Sequence, residues 1–234
     1  MAYDSLRDFV AKLEAAGELK RIRVEVDPVL EITEIADREM KSLGGGKALL
    51  FEKPKGAKFP LLINAYGSTK RMALALGVGS VDEIAGNLEA LLKAKPPTSF
   101  KEAISLLGTA LELRHAKPKT GQGEWTECRL SDLPIQKCWP QDAGRFITLP
   151  LVITRDPDTG ARNVGMYRMQ VIDERTTFMH WQLHKTGARH WRRYRELKQR
   201  MPVTVALGGD PVLAFCATAP LPDGLDEFML AGYL

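Results

Sequence analysis

Residues 163–185 read NVGMYRMQVIDERTTFMHWQLHK. Two strand-like runs, rich in Val, Met and aromatic residues, flank Asp173-Glu174-Arg175-Thr176, a polar cluster of the kind that closes a hairpin. Along a strand, residues two apart share a face. Asn163, Gly165 and Tyr167 then point one way, and Val164, Met166 and Arg168 the other. Beyond the turn His180, Gln182 and His184 share a face, with Trp181 and Leu183 opposite. A His-Gln-His face is costly to bury unless it meets polar groups. Arg168 stands among Met166, Met169 and Val171, where an unpaired guanidinium is expensive; an anion such as a phosphate would satisfy it with two parallel N–H bonds. An Asn oxygen, a neutral His nitrogen and a carboxylate form a donor set for a hard divalent ion such as Mn²⁺. Asp223, Asp226 and Glu227 in PLPDGLDEFMLAGYL each offer that carboxylate. The same residues also suit an exposed polar sheet face that binds nothing.

Outward from this stretch, FITLPLVITR precedes Asp156-Pro157-Asp158-Thr159-Gly160, a strong turn between two strands. A helix over about 188–200 and a strand in PVTVALGG follow. This part reads as a small antiparallel barrel or sandwich. The chain before HAKPKTGQGEW reads differently. An amphipathic helix over 4–16 places Leu6, Phe9, Val10 and Leu13 on one face and stops at Gly17. LKRIRVEV alternates like a strand. Asp27 as cap and Pro28 at the first helical position predict a helix to about Leu43, broken by Gly44-Gly45-Gly46. ALLFEK and PLLINAYG read as buried strands. SVDEIAGNLEALLKA reads as a helix whose Ser80 and Glu83 have capping-box spacing, and SFKEAISLLGTALEL continues in helical form. The expected organisation is α+β: an N-terminal α/β subdomain over 1–115 and an antiparallel domain over 116–234.

The chain of 234 residues is 44% hydrophobic and 26% charged, enough for a substantial core. A net charge of +4 is well short of a dedicated nucleic-acid binder. No apolar run reaches the roughly 20 residues of a membrane span, and the start lacks the pattern of a signal peptide. The three cysteines lack CxxC spacing and read as reduced thiols buried in a cytoplasmic protein. Gly44–Gly46 and Gly77-Val78-Gly79 match no phosphate-binding pattern and read as loop punctuation. In RHWRRYRELKQR, nucleic acid could stack on Trp191 and Tyr194; on a helix those residues share a face with Leu197, which reads as a docked face with arginines in water. His115 and His190 read as surface histidines.

Several blocks together resemble the UbiD family of reversible decarboxylases: DSLRDFVAKLEAAGELKRI, NVGMYRMQ, MHWQLHKTGA and PVTVALGGDPVLAFCATAPLPDGLDEFMLAG, in order along the chain. The resemblance implies a split β-barrel that holds prenylated FMN (or FMN), with Mn²⁺ and K⁺ at the flavin phosphate. It implies metal ligands at Asn163, His184 and Glu227. It implies flavin contacts at Met166, Tyr167, Arg168, His180, Trp181, Gln182, Lys185 and Thr186, and a cofactor-lining loop at Ala217, Thr218, Ala219 and Pro220. Arg168 would also be catalytic, orienting a carboxylic acid substrate whose CO₂ leaves with electrons flowing into the cofactor. A flavin prenyltransferase would supply the cofactor, and the family's full-length members form homo-oligomers. Those members are roughly twice this length, and their two catalytic acids lie in an E-x-P-[FY]-G-[DE]-like block that these residues do not contain. The expectation is therefore a cofactor-binding portion with little or no turnover alone. Two other readings are an FMN-dependent flavin reductase-like oxidoreductase and a non-enzymatic nucleic-acid-binding module.

Overall fold

The computed structural model describes residues 3–86, 121, 123, 126–221 and 225–234. The helical expectations beyond residue 86, His115 and Asp223 fall outside these residues. Helix α1 spans Leu6–Ala15; the Ser5 side chain caps it by accepting from the Asp8 N–H, and Phe9 and Leu13 are buried. Gly17, at φ +70°, takes the left-handed turn that ends it. Strand β1 (Leu19–Val26) pairs in parallel with β2 (Ala48–Pro54), and β2 pairs antiparallel with β3 (Leu61–Ile63).

Helix α2 is Glu31–Met40 and starts later than the Asp27-Pro28 signal predicts. The reason is a partner distant in sequence. Lys137 N donates to the Pro28 carbonyl at 3.2 Å and Leu30 N to the Lys137 carbonyl at 2.9 Å, which pulls 28–30 into a bridge. Leu30 absorbs the change of direction at φ 69°. Asp27 caps only its own turn, accepting from Val29 N at 2.8 Å.

Helix α3 (Thr69–Leu76) is not among the expected elements; Ser68 caps it by accepting from Arg71 N. Gly77 ends it in the left-handed conformation, the punctuation expected of Gly77-Val78-Gly79. Gly44–Gly46 also lie in a turn. The fully buried Arg71 pins that turn, donating to the Gly45 carbonyl at 3.2 Å, to the Gly46 carbonyl, and to Glu18 Oε2 at 3.1 Å.

The downstream residues form two antiparallel three-stranded sheets. One orders β4 (Phe146–Ile147), β7 (Met169–Val171) and β8 (Thr177–Met179); the other orders β6 (Arg162–Met166), β5 (Leu151–Arg155) and β9 (Thr204–Ala206). Both predicted turns are present. Asp156 Oδ1 accepts from Asp158 N and Thr159 N between β5 and β6, and Asp173 Oδ1 accepts from Arg175 N between β7 and β8. The run NVGMYRMQVID, read as one strand, is two: it leaves one sheet after Met166 and enters the other at Met169. The sheets share an apolar layer of Ile147, Val152, Tyr167 and Met169, and among the described residues they do not close into a barrel.

Among the described residues three further helices follow: α4 (Thr186–Glu196), α5 (Val212–Cys216) and α6 (Glu227–Tyr233). Val212, Cys216 and Ala231 form an apolar cluster with Leu76 and Ile84, so the N-terminal elements pack on α5 and α6. Helix α4 buries Gly187, Ala188 and His190. The expected Trp191–Tyr194–Leu197 docked face is not the buried one, since Trp191 is 39% exposed and Leu197 36%. The smaller residues let the helix backbone approach the sheet more closely. Of the cysteines only Cys216 is buried; Cys138 is half-buried and Cys128 exposed, against the expectation of burial.

Removing one partner of a buried ion pair leaves the other charge and its acceptors uncompensated. Arg71→Ala should therefore destabilise the chain by about 3–5 kcal/mol. Urea unfolding of the two proteins checks this.

Candidate functional site

The β5–β6 hairpin positions the candidate ligands. Its register sets Thr154 opposite Asn163, Val152 opposite Gly165 and Leu151 opposite Met166. Because β6 is an edge strand, its outer N–H groups need partners from elsewhere. Helix α6 provides them: Glu227 Oε2 accepts from Val164 N at 2.9 Å. Asp226, the residue before the helix, accepts from Phe228 N and from Arg162 Nε at 3.1 Å. Of the two described carboxylates in the tail, Glu227 thus reaches β6 at Val164, the residue after Asn163, while Asp226 is committed to the cap and to Arg162.

Asn163 is buried, and its Nδ2 has no hydrogen-bond partner. Burial pushes the Glu227 carboxyl above the usual carboxylate range, partly offset by the Val164 N–H. The unpartnered Nδ2 is a donor and calls for an acceptor; a cation would engage the amide oxygen instead and compensate the Glu227 charge. His184, the third expected ligand, is exposed in the turn that leads into α4. Among the described residues no three His, Cys, Asp or Glu side chains converge on one point. A cation here would need Asn163.

The expected flavin contacts split into two groups. Tyr167, Trp181 and the start of α4 form a tight knot. The Tyr167 and Trp181 rings lie 5.0 Å apart, and Tyr167 Oη accepts from Gly187 N at 3.0 Å. Gly165 and Gly187 leave the space these rings fill. A Cβ on Gly165 would stand 2.4 Å from Tyr167 Cε2, and one on Gly187 2.5 Å from Trp181 Cζ3. Met166 and Thr186 border this knot, half-buried. Neither glycine was among the expected site residues; the small-residue opening of α4, Thr-Gly-Ala, is the signal that marks one of them.

The other group is open to solvent. Arg168, His180, Gln182 and Lys185 are exposed. Arg168 and His180 meet through the backbone, where His180 N donates to the Arg168 carbonyl at 3.0 Å. The expectation that Arg168 is enclosed by Met166, Met169 and Val171 fails. The chain changes sheets there, and the guanidinium lies 4.3 Å from the Phe146 ring centre. Residues 180–184 lie past the end of β8, so strand alternation does not place His180, Gln182 and His184 on one face. Ala217, Thr218, Ala219 and Pro220 form the turn after α5, where Thr218 Oγ1 donates to the Phe215 carbonyl.

His190, expected on the surface, is buried. Its Nδ1 lies 3.0 Å from Thr154 Oγ1 and its Nε2 3.9 Å from Asp156 Oδ2. A cavity of about 560 Å³ opens elsewhere, between α4 and the strands, lined by Met169, Met179, Trp181, Trp191, Met201 and Val205. Phe146, Gln170 and Phe178 are register partners, as are Ile147, Met169 and Met179. Strand alternation therefore puts the Phe146 ring, with Arg168 over it, on the opposite face from this cavity.

Residues 112–234 match the 3-octaprenyl-4-hydroxybenzoate carboxy-lyase Rift-related domain, and residues 10–91 match the N-terminal domain of the same carboxy-lyase. The chain belongs to the UbiD family. It is 50% identical over 239 aligned positions to an uncharacterized protein of Archaeoglobus fulgidus, covering 100% of this chain and 49% of that protein. The UbiD-class enzyme HmfF of Pelotomaculum thermopropionicum, solved in complex with FMN, superposes with a TM-score of 0.75 at 27% identity, covering 98% of this chain and 48% of that one. The vanillic acid decarboxylase of Sedimentibacter hydroxybenzoicus in closed form superposes with a TM-score of 0.80 at 25% identity, covering 100% and 48%. The UbiD-family chain thus spans about half the length of these relatives.

Two outcomes follow from this geometry. Gly187→Ala should drive Cβ into Trp181 and cost about 1–3 kcal/mol, as overpacking does; urea unfolding and the near-ultraviolet circular dichroism of the indole report it. The second concerns pH. Burial lowers the His190 pKa, with Asp156 raising it and Arg189 lowering it. The folded state thus prefers the neutral ring. That contribution to stability is present above the ordinary histidine pKa of about 6.5 and is lost as pH falls through the lowered folded value. The urea midpoint should fall with acidification more steeply in the wild type than in His190→Gln.

Proposed function

We propose that this chain is the flavin- and metal-binding portion of a UbiD-class decarboxylase acting on an aromatic or α,β-unsaturated carboxylic acid. The observation that carries the reading is a buried Asn163 whose Nδ2 has no partner, one residue along β6 from Val164, whose N–H donates to the desolvated Glu227 carboxylate. It lies in a fold shared with HmfF, whose evolved dimeric form is in complex with prFMN and superposes with a TM-score of 0.76 at 28% identity.

On this reading Asn163, His184 and Glu227 hold Mn²⁺, K⁺ sits at the flavin phosphate, and the turn at Ala217–Pro220 lines the cofactor. The two antiparallel sheets are walls of a split barrel that follows a subdomain ending near residue 115. Prenylated FMN or FMN, the former supplied by a flavin prenyltransferase, lies against Met166, Tyr167 and Arg168 and the segment His180–Thr186. Bound there, the flavin supplies the sink for the electron pair that CO₂ leaves behind. The chain's own residues bind and orient. Arg168, braced on Phe146, pairs with the substrate carboxylate, and its exposure leaves both guanidinium edges free to do so. The Tyr167–Trp181 knot holds the start of α4 in place. Proton transfer needs an acid within hydrogen-bond reach, and among the described residues no carboxyl group bonds to Arg168. On this reading the acid comes from the E-x-P-[FY]-G-[DE]-like block of the longer family members.

Two of the arginines of α4 are engaged within the protein. Arg193 pairs with Asp158 at 2.6 Å and with Glu196 at 3.1 Å, and Arg192 donates to the Leu183 carbonyl. No helix among the described residues is long and apolar enough to cross a membrane.

Native mass spectrometry and an absorption spectrum, on protein co-expressed with a flavin prenyltransferase and Mn²⁺, test the proposal. One flavin and one divalent ion should bind, both should be lost in His184→Ala and Glu227→Gln, and both should be kept in the Arg192→Ala, Arg193→Ala double variant. A flavin that instead turns over a nicotinamide cofactor would identify a reductase.

A further inference from the structure

Thr154, Asn163 and His190 are buried polar side chains in one layer between the β5–β6 hairpin and α4. Exposures of 1%, 7% and 2% mean that each must find its hydrogen-bond partners within the protein. Two of them do: Thr154 Oγ1 and His190 Nδ1 are 3.0 Å apart. The third, Asn163, has an unpartnered Nδ2.

The direction of the Thr154–His190 bond follows from what surrounds the ring. Asp156 Oδ2 stands 3.9 Å from Nε2, beyond hydrogen-bond length but near enough for its charge to favour the proton on that nitrogen. Nδ1 is then the acceptor, and the Thr154 hydroxyl must donate to it. That commitment leaves the Thr154 oxygen with only lone pairs to offer. The residue directly opposite is Asn163. Facing residues in an antiparallel pair have Cβ atoms about 4.5–5.5 Å apart, so a side-chain rotation brings the Asn163 NH₂ to that oxygen. An amide has one donor end and one acceptor end. Once its NH₂ faces Thr154, its oxygen faces away.

We infer that Thr154 and His190 are positioning residues that orient the Asn163 amide, holding its oxygen toward the cation that Asn163 and Glu227 share. This rests on the metal-binding reading above, and it adds that the histidine tautomer, two residues removed from the ion, sets which end of the amide meets it. Valine is nearly isosteric with threonine and removes the acceptor; serine keeps it.

The test is Mn²⁺ affinity, read from the electron paramagnetic resonance of free Mn²⁺ in titrations of the chain with excess FMN. The wild type, Thr154→Val, Thr154→Ser and Glu227→Gln are compared, with thermal melts alongside. Loss of an outer partner of a metal ligand costs about 10–100-fold in affinity. That loss is expected in Thr154→Val, with Thr154→Ser restoring affinity to near the wild-type value even if both melt earlier. Wild-type affinity in Thr154→Val, with Glu227→Gln defective, overturns the positioning role and leaves the metal site standing. Equal losses in the valine and serine variants mark Thr154 as a packing residue and overturn it too. No Mn²⁺ binding by the wild type overturns both.

Discussion

The open edge of β6 is the constraint on which the rest of the candidate site depends. An edge strand exposes backbone N–H groups that must be satisfied. Here Glu227 accepts from Val164, and Asp226 holds Arg162 two residues earlier on the same strand. Those bonds fix α6 against the sheet. Helix α6 in turn carries Ala231 into the cluster with Leu76 and Ile84, so the same edge couples the hairpin to the N-terminal elements. The carboxylate that closes the strand is also the one whose burial raises its pKa. Structural and chemical demands meet on one side chain.

A second constraint is close packing around the start of α4. Gly165 and Gly187 admit the rings of Tyr167 and Trp181, and Tyr167 Oη takes the first buried N–H of the helix. Tyr167 is the residue before the exposed Arg168, and Gly187 stands three residues before the buried His190 on α4, so the knot is adjacent in sequence to both groups. Relatives of about twice the length share this half of their fold with the UbiD-family chain.

Much of the local structure was legible in the sequence. Ser5, the Phe9–Leu13 stripe and Gly17 delimit α1, and the Asp-rich turns at 156–160 and 173–176 close their hairpins, because caps and turns are satisfied by residues a few positions away. The family was legible too, since its blocks are contiguous. What misled were features whose partners are distant. Pro28 looks like a helix start, yet Lys137 draws it into a bridge. NVGMYRMQVID has unbroken strand character, and only the presence of two sheets splits it at Tyr167-Arg168.

The residues of the candidate site divide in the same way. The sequence by itself offered candidate donors, an Asn, a His and a tail carboxylate, and the aromatic-basic run around Arg168. Only the tertiary structure decided that Glu227 reaches the Val164 N–H while Asp226 holds Arg162, that His190 is buried against Thr154, and that Arg168 lies over Phe146 on an outer face. The physical reason is that chemical identity is a property of each residue, whereas burial and hydrogen-bond partnership arise from segments far apart in the chain that meet only when it folds.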